Sequence, residues 1–166
     1  HHIFQGLTFR NVDRVFEAGR KHLAGASNLT VRNCRFEMVG EGLRTEYAGS
    51  KNFLIQDNVM IGRDDRYRVY GWAAHREGHI PYGTHLLDSY YGIKVYGSGH
   101  VIAHKSIAYF HDSSGVSTYG SPEEEQELKA VSIDIYNNDL HLQVDDFVEA
   151  DGGVHNIRVM RNRGVN

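Results

Sequence analysis

Pairs of apolar residues separated by one polar position recur along the chain. The clearest run is Val131 to Arg163, where Ile133 and Ile135 flank Asp134, and Ile157 and Val159 flank Arg158 24 residues later. Strict alternation predicts short strands with one face buried. The pairs Leu7/Phe9, Leu29/Val31, Phe53/Ile55 and Val101/Ala103 extend the pattern toward the N-terminus. A fixed period of this length predicts stacked coils, each one supersecondary unit.

Three positions after each pair comes a column of Val12, Cys34, Asn58, Ser106, Asn138 and Asn162, followed two residues later by Phe36, Met60, Ala108 and Leu140. Stacked Asn side chains can hydrogen-bond along such a column. A second strand is expected around Val15, Leu43, Ile93, Val116 and Phe147. The pattern therefore predicts an all-β solenoid of about six turns, a single domain over residues 1–166. Two stretches interrupt the period. The long one is about 62–90; the short one, 121–130, reads SPEEEQELKA, a surface loop or a helix start at Pro122. Both ends enter or leave a repeat abruptly, so the chain is expected to be part of a longer protein or to stack end to end.

Composition narrows the functions. Eighteen Lys plus Arg against 21 Asp plus Glu leave a net charge of −3. Neither nucleic acid nor an anionic membrane is an expected partner. The single Cys34 excludes an internal disulfide framework and a cysteine-based zinc site. No apolar run is long enough to insert into a membrane.

Four groups of residues could carry chemistry. The 62–90 insertion holds Tyr70, Trp72, His75 and Arg76, with further Tyr, Arg and His residues interleaved. Flat rings pack against sugar rings, and Arg and His donate to hydroxyls or carboxylates. The same stretch could simply cover the outward Leu54 and Ile102, and one loop could do both. The outward face of the second strands should align Arg44 with Lys94, Ser117 and Val148, and Glu46 with Tyr96, Tyr119 and Ala150. Acid–base work on an acidic sugar needs such a set: Arg44 to neutralise the carboxylate, Lys94 as base, Tyr96 or Tyr119 as acid. An ordinary solvated face is the alternative.

The third group is Asp145, Asp146, Glu149 and Asp151. Asp145, Asp146 and Asp151 could hold Ca²⁺, the one cofactor the sequence suggests, the cluster could serve as an acid/base pair, or the aspartates could simply shape the turn before Gly152-Gly153. Glu17 and Glu149 align with columns expected to point inward, where each would need a partner. The fourth group is His104, His111 and Asp112, a candidate acid/base couple without a nucleophile motif.

The repeats Asn28 to Phe36, Ser132 to Leu140 and Asn156 to Arg163 resemble the right-handed parallel β-helix proteins of the pectate-lyase-like superfamily. The likeness spans the chain outside its two insertions. It implies an exported protein, extracellular or periplasmic, that binds polysaccharide or acts on it as a lyase, epimerase or glycoside hydrolase. Fold does not dictate reaction. Asp64-Asp65 and Asp145-Asp146 resemble the paired aspartates of polygalacturonase-type hydrolases, but the accompanying Gly-His-Gly and Arg-x-Lys motifs are absent. No catalytic set is carried over from the family. A non-enzymatic scaffold or adhesive protein, or a glycan-binding module, fits the same repeats.

Overall fold

The computed structural model describes residues 1–20, 23–63, 89, 91–110, 112–115, 130–143, 146–150 and 153–166. These are all-β and form three sheets of six strands each. The first contains β1 (His2–Gln5), β5 (Leu29–Arg32), β8 (Leu54–Gln56), β11 (Val101–Ala103), β14 (Ala130–Tyr136) and β17 (Gly153–Met160). The second contains β2 (Thr8–Arg10), β6 (Arg35–Val39), β9 (Val59–Gly62), β12 (Ser106–Ala108), β15 (Asp139–His141) and β18 (Arg163–Val165). The third contains β3 (Arg14–Arg20), β4 (Ala24–Gly25), β7 (Glu41–Thr45), β10 (Tyr91–Val95), β13 (Asp112–Gly115) and β16 (Val148–Glu149). The chain visits the sheets in a repeated order, one strand in each per circuit, with β4 as a second short strand of the third sheet in the first circuit. All strand pairings are parallel except the small β3–β4 hairpin.

Such short strands need corners, and the corners use the left-handed backbone region. Asn28, Asn52 and Gly99 precede strands of the first sheet, and Ser132 and Asn156 lie within β14 and β17, all with φ between 54° and 71°. Gly6, Asn33, Asp57, His104, Asn137 and Arg161 turn the chain from the first sheet to the second. Glycine and asparagine tolerate this region best, which explains the recurring Asn around each repeat.

The three sheets share one interior. Phe4 of the first sheet, Phe9 of the second and Phe16 of the third meet in it, with ring centroids 4.9 Å (Phe4–Phe16) and 5.3 Å (Phe9–Phe16) apart. Above them Val31, Phe36, Leu43, Ile55, Met60, Ile93, Ile102, Ile107, Ile133 and Ile135 are fully enclosed. An asparagine column runs alongside. Asn58 accepts from the Cys34 N–H (2.9 Å) and donates to the Val31 carbonyl (2.9 Å). Asn138 repeats the arrangement with the Lys105 N–H (3.3 Å) and the Ile102 carbonyl (3.2 Å). Asn162 does so with the Asn138 N–H (3.0 Å) and the Ile135 carbonyl (2.9 Å).

The register corrects the expected alignment in three places. In the first circuit, Leu7 and Phe9 do not belong to the first sheet. Phe4 pairs with Val31 there, Phe9 pairs with Phe36 in the second sheet, and Leu7 rather than Val12 precedes the residue beneath Arg35. In the β11–β12 circuit every expected position slips by one. Val101 pairs with Leu54 and faces out; Ile102 pairs with Ile55 and faces in. Lys105, not Ser106, therefore stands in the asparagine column, and Ile107, not Ala108, pairs with Met60. In the third sheet Phe16, Ser114 and Val148 take the positions expected of Val15, Val116 and Phe147, in line with Leu43 and Ile93. A one-residue slip moves a side chain to the opposite face, so these shifts change which groups meet.

The stretches 64–88 and 121–129, and with them the loop and helix-start expectations, lie outside the described residues.

Candidate functional site on the third sheet

The outer face of the third sheet gathers the charged residues. In register, Glu17 pairs with Arg44, Arg44 with Lys94, Lys94 with Gly115, and Gly115 with Glu149. This row replaces the expected Arg44, Lys94, Ser117 and Val148 column. It also removes the two inward glutamates. Glu17 and Glu149 stand on the same row as the cations; Glu17 is exposed there, whereas Glu149 Oε2 is buried.

Lys94 is the centre of the row. Its Nζ lies 3.4 Å from Tyr91 Oη, 4.5 Å from the centre of the Tyr91 ring and 5.8 Å from that of Tyr96. Glu46 Oε1 is 3.7 Å away. Although it stands on an outward face, the residue is only 6% exposed, and Tyr91 and Tyr96 are buried with it. Burial pushes the amine below the ordinary lysine value. Glu46 opposes that shift, Arg44 on the adjacent strand adds to it, and Glu149 and Glu41 oppose it again. Desolvation wins because the ammonium loses its hydration while the Glu46 carboxylate, at 3.7 Å, stands beyond hydrogen-bond distance.

Arg44 is held from two sides. It donates to Glu46 through one guanidinium nitrogen and to Glu41 at 3.2 Å through the other. Glu41 also accepts from Arg14 at 2.5 Å, and Arg14 stands 3.6 Å from Glu17, which binds Arg20 at 2.7 Å. The outcome is a connected strip of alternating charge, Arg20–Glu17–Arg14–Glu41–Arg44–Glu46–Lys94. Tyr96 lies next to Glu46 across the strands, as expected, since its N–H bonds the Thr45 carbonyl at 3.1 Å.

Sequence reasoning missed Tyr91 and Glu41 as neighbours of this group. Each precedes its partner, Lys94 or Arg44, by three residues, and alternation assigns such positions to opposite faces. Between them lie Gly92 and Gly42, and the alternation fails there. A Cβ at Gly42 would come within 2.4 Å of the Gly92 carbonyl oxygen, so the two strands approach too closely for any other residue at that position.

His104 sits at a left-handed corner with φ 52°, its Nδ1 3.6 Å from Asp57. The carboxylate beside it is thus Asp57 rather than Asp112, whose strand pairs Asp112 with Tyr91 in the third sheet. Asp146 immediately precedes Phe147 and β16. Tyr70, Trp72, His75, Arg76, His111, Tyr119, Asp145 and Asp151 lie outside the described residues. Among those described, no three His, Cys, Asp or Glu side chains are grouped to hold a metal ion.

Compared with known proteins, the chain matches no family model, no curated sequence and no solved structure.

Proposed function

We propose that this chain is a right-handed parallel β-helix from an exported protein that handles an acidic polysaccharide, with the glycan lying along the outer face of the third sheet. The observation that carries the reading is Lys94: an amine below its ordinary pKa, enclosed by two phenols and one strand away from an arginine. A base must be unprotonated to accept a proton, and burial shifts a lysine in that direction. In the proposed reaction Lys94 Nζ takes the proton from the carbon next to the uronate carboxylate. The electron pair forms a C=C bond, the C–O bond to the neighbouring sugar breaks, and a phenol, Tyr96 or Tyr91, protonates the leaving oxygen. Arg44 exchanges Glu41 or Glu46 for the substrate carboxylate.

The test is incubation with a panel of polyuronates, read by the ultraviolet absorbance of unsaturated chain ends. The expected result is product with at least one of them, and a loss of about 100-fold or more in Lys94→Ala, within the range ascribed to a positioned base. Full activity in that variant would remove Lys94 as the base.

A second reading rests on the saturation of Arg44. Every cation of the strip already has a carboxylate, and a net charge of −3 gives a polyanion no general attraction. On this reading the strip pins strand register and the protein is a scaffold that assembles end to end. Absence of product from all polyuronates, together with growth of particle size in light scattering, selects it.

A further inference from the structure

Among the described residues, two basic side chains are enclosed in the shared interior, and both flank β11. His100 is fully buried, its ring 4.6 Å from that of Phe53. Its Nε2 faces the Tyr96 carbonyl at 2.9 Å, and its Nδ1 faces the Phe53 N–H at 3.1 Å. A carbonyl only accepts and an amide N–H only donates. The ring is therefore the neutral form carrying its proton on Nε2. A second proton would have to sit on Nδ1, pointing at the Phe53 N–H, and would break that bond.

Lys105 is 3% exposed, and its Nζ has no hydrogen-bond partner among the described residues. Its column neighbours do not supply one in the structure. Asn58 spends its amide on Cys34 and Val31, and Asn138 on the Lys105 N–H, Ile102 and Asn162. The carboxylates nearest in register turn outward. Asp57 meets His104 at 3.6 Å, and Asp139 meets His141 at 2.8 Å and Arg163 at 3.5 Å. Elsewhere in the described interior the buried polar side chains are Thr45, Ser50, Ser89 and Gln143, none of them charged; Lys94 is buried on the outer face beside Glu46. Among the described residues, no carboxylate is bonded to His100 or Lys105.

We propose that the stretch His100–Lys105 is an acid-sensitive latch, in which β11 stays closed between β8 and β14 only while both enclosed bases are uncharged. Charging either one places an unpaired cation in the interior, which the chain relieves by opening β11 to water. The inference stands on the enclosure of these groups and does not depend on the polysaccharide reading.

The sign follows from the unfolded values. Burial depresses His100 from 6.5 to about 4, with the Tyr96 carbonyl opposing, and depresses Lys105 well below 10.5. The opened chain therefore binds more protons than the closed one. The His100 contribution is complete above pH 6.5 and is lost as pH falls through that value toward 4. The Lys105 contribution is complete above pH 10.5 and is lost as pH falls from there toward its depressed value.

Urea unfolding from pH 9 to pH 5, on the wild type and on His100→Leu/Lys105→Asn, measures the protons taken up. The expected difference between the two proteins is about one proton in the range from pH 9 to 7.5, from Lys105, and about one or more near pH 5, where His100 adds its own uptake. A difference below half a proton in either range overturns the latch. Should the double variant not fold, Lys105→Asn alone serves, since asparagine already fills this column at 58, 138 and 162. It must abolish the uptake of about one proton above pH 7.5, and an unchanged uptake overturns the proposal equally.

Discussion

Two neighbouring circuits of the same molecule behave differently. In the β14–β15 circuit Ile133, Ile135, Asn138 and Leu140 are buried, and each occupies the position its spacing predicts. In the β11–β12 circuit the equivalent positions hold His100, Ile102, Lys105 and Ile107. The backbone is the same in both, with parallel partners on either side. What differs is the chemistry inside. A regular circuit buries apolar groups and an amide whose hydrogen bonds are complete. Its neighbour buries two bases, one with both ring nitrogens bonded and one without a partner. The lesson is that stacking between adjacent strands enforces register strongly enough to enclose groups that would not choose the interior on their own.

Substitutions sharpen this contrast, beginning with the largest effect. Ile135→Ala removes a fully buried side chain from the regular circuit and should cost about 3 kcal/mol in urea unfolding. Asn138→Ala should come next, at about 2 kcal/mol. It leaves the Lys105 N–H and the Ile102 carbonyl without their side-chain partner in a buried setting. Lys105→Asn should act in the opposite direction. By replacing a partnerless amine with the residue that completes the column, it should raise stability at pH 7 by about 1–2 kcal/mol. If this variant is instead less stable than wild type, the two circuits are not equivalent and the comparison fails. Arg158→Ala removes an exposed ion pair with Asp134, 2.6 Å long, and should leave the urea midpoint unchanged within error.

Much of the architecture is legible in the residues. Alternation at Leu29/Val31, Phe53/Ile55 and Ile133/Ile135 identifies strands that do pair in parallel with their equivalents in neighbouring circuits. The asparagine column is also legible at Asn58, Asn138 and Asn162. Its hydrogen bonds join circuits 24 residues apart, as at Cys34–Asn58 and Asn138–Asn162. The slip at β11 has a plain cause. Val101 and Ala103 are apolar and alternate, whereas His100 and Lys105 look polar, so hydropathy prefers the wrong face. The third sheet misleads differently. Its expected columns contain Glu17 and Glu149 on inward positions, an inconsistency that in fact signals a misaligned strand. Moving β3 and β16 by one residue each resolves it, and β13 moves by two.

The candidate site is legible only in part. Arg44 and Lys94 are adjacent, as their spacing from Leu43 and Ile93 requires. That Arg44 is already occupied by Glu41 and Glu46 is not deducible from spacing, because it depends on alternation failing at Gly42. The same failure at Gly92 brings Tyr91 over the Lys94 amine.

The amino-acid order alone decided that this chain is all-β, built from short strands whose equivalents stack, with asparagines lining one corner. Those features are periodic, and a period survives one or two exceptional residues. Only the tertiary structure decided which face each exceptional residue takes. A buried histidine, a buried lysine and a glycine-broken strand have no periodic signature. Their placement follows from the hydrogen-bond register of the strands on either side, which no local stretch of sequence contains.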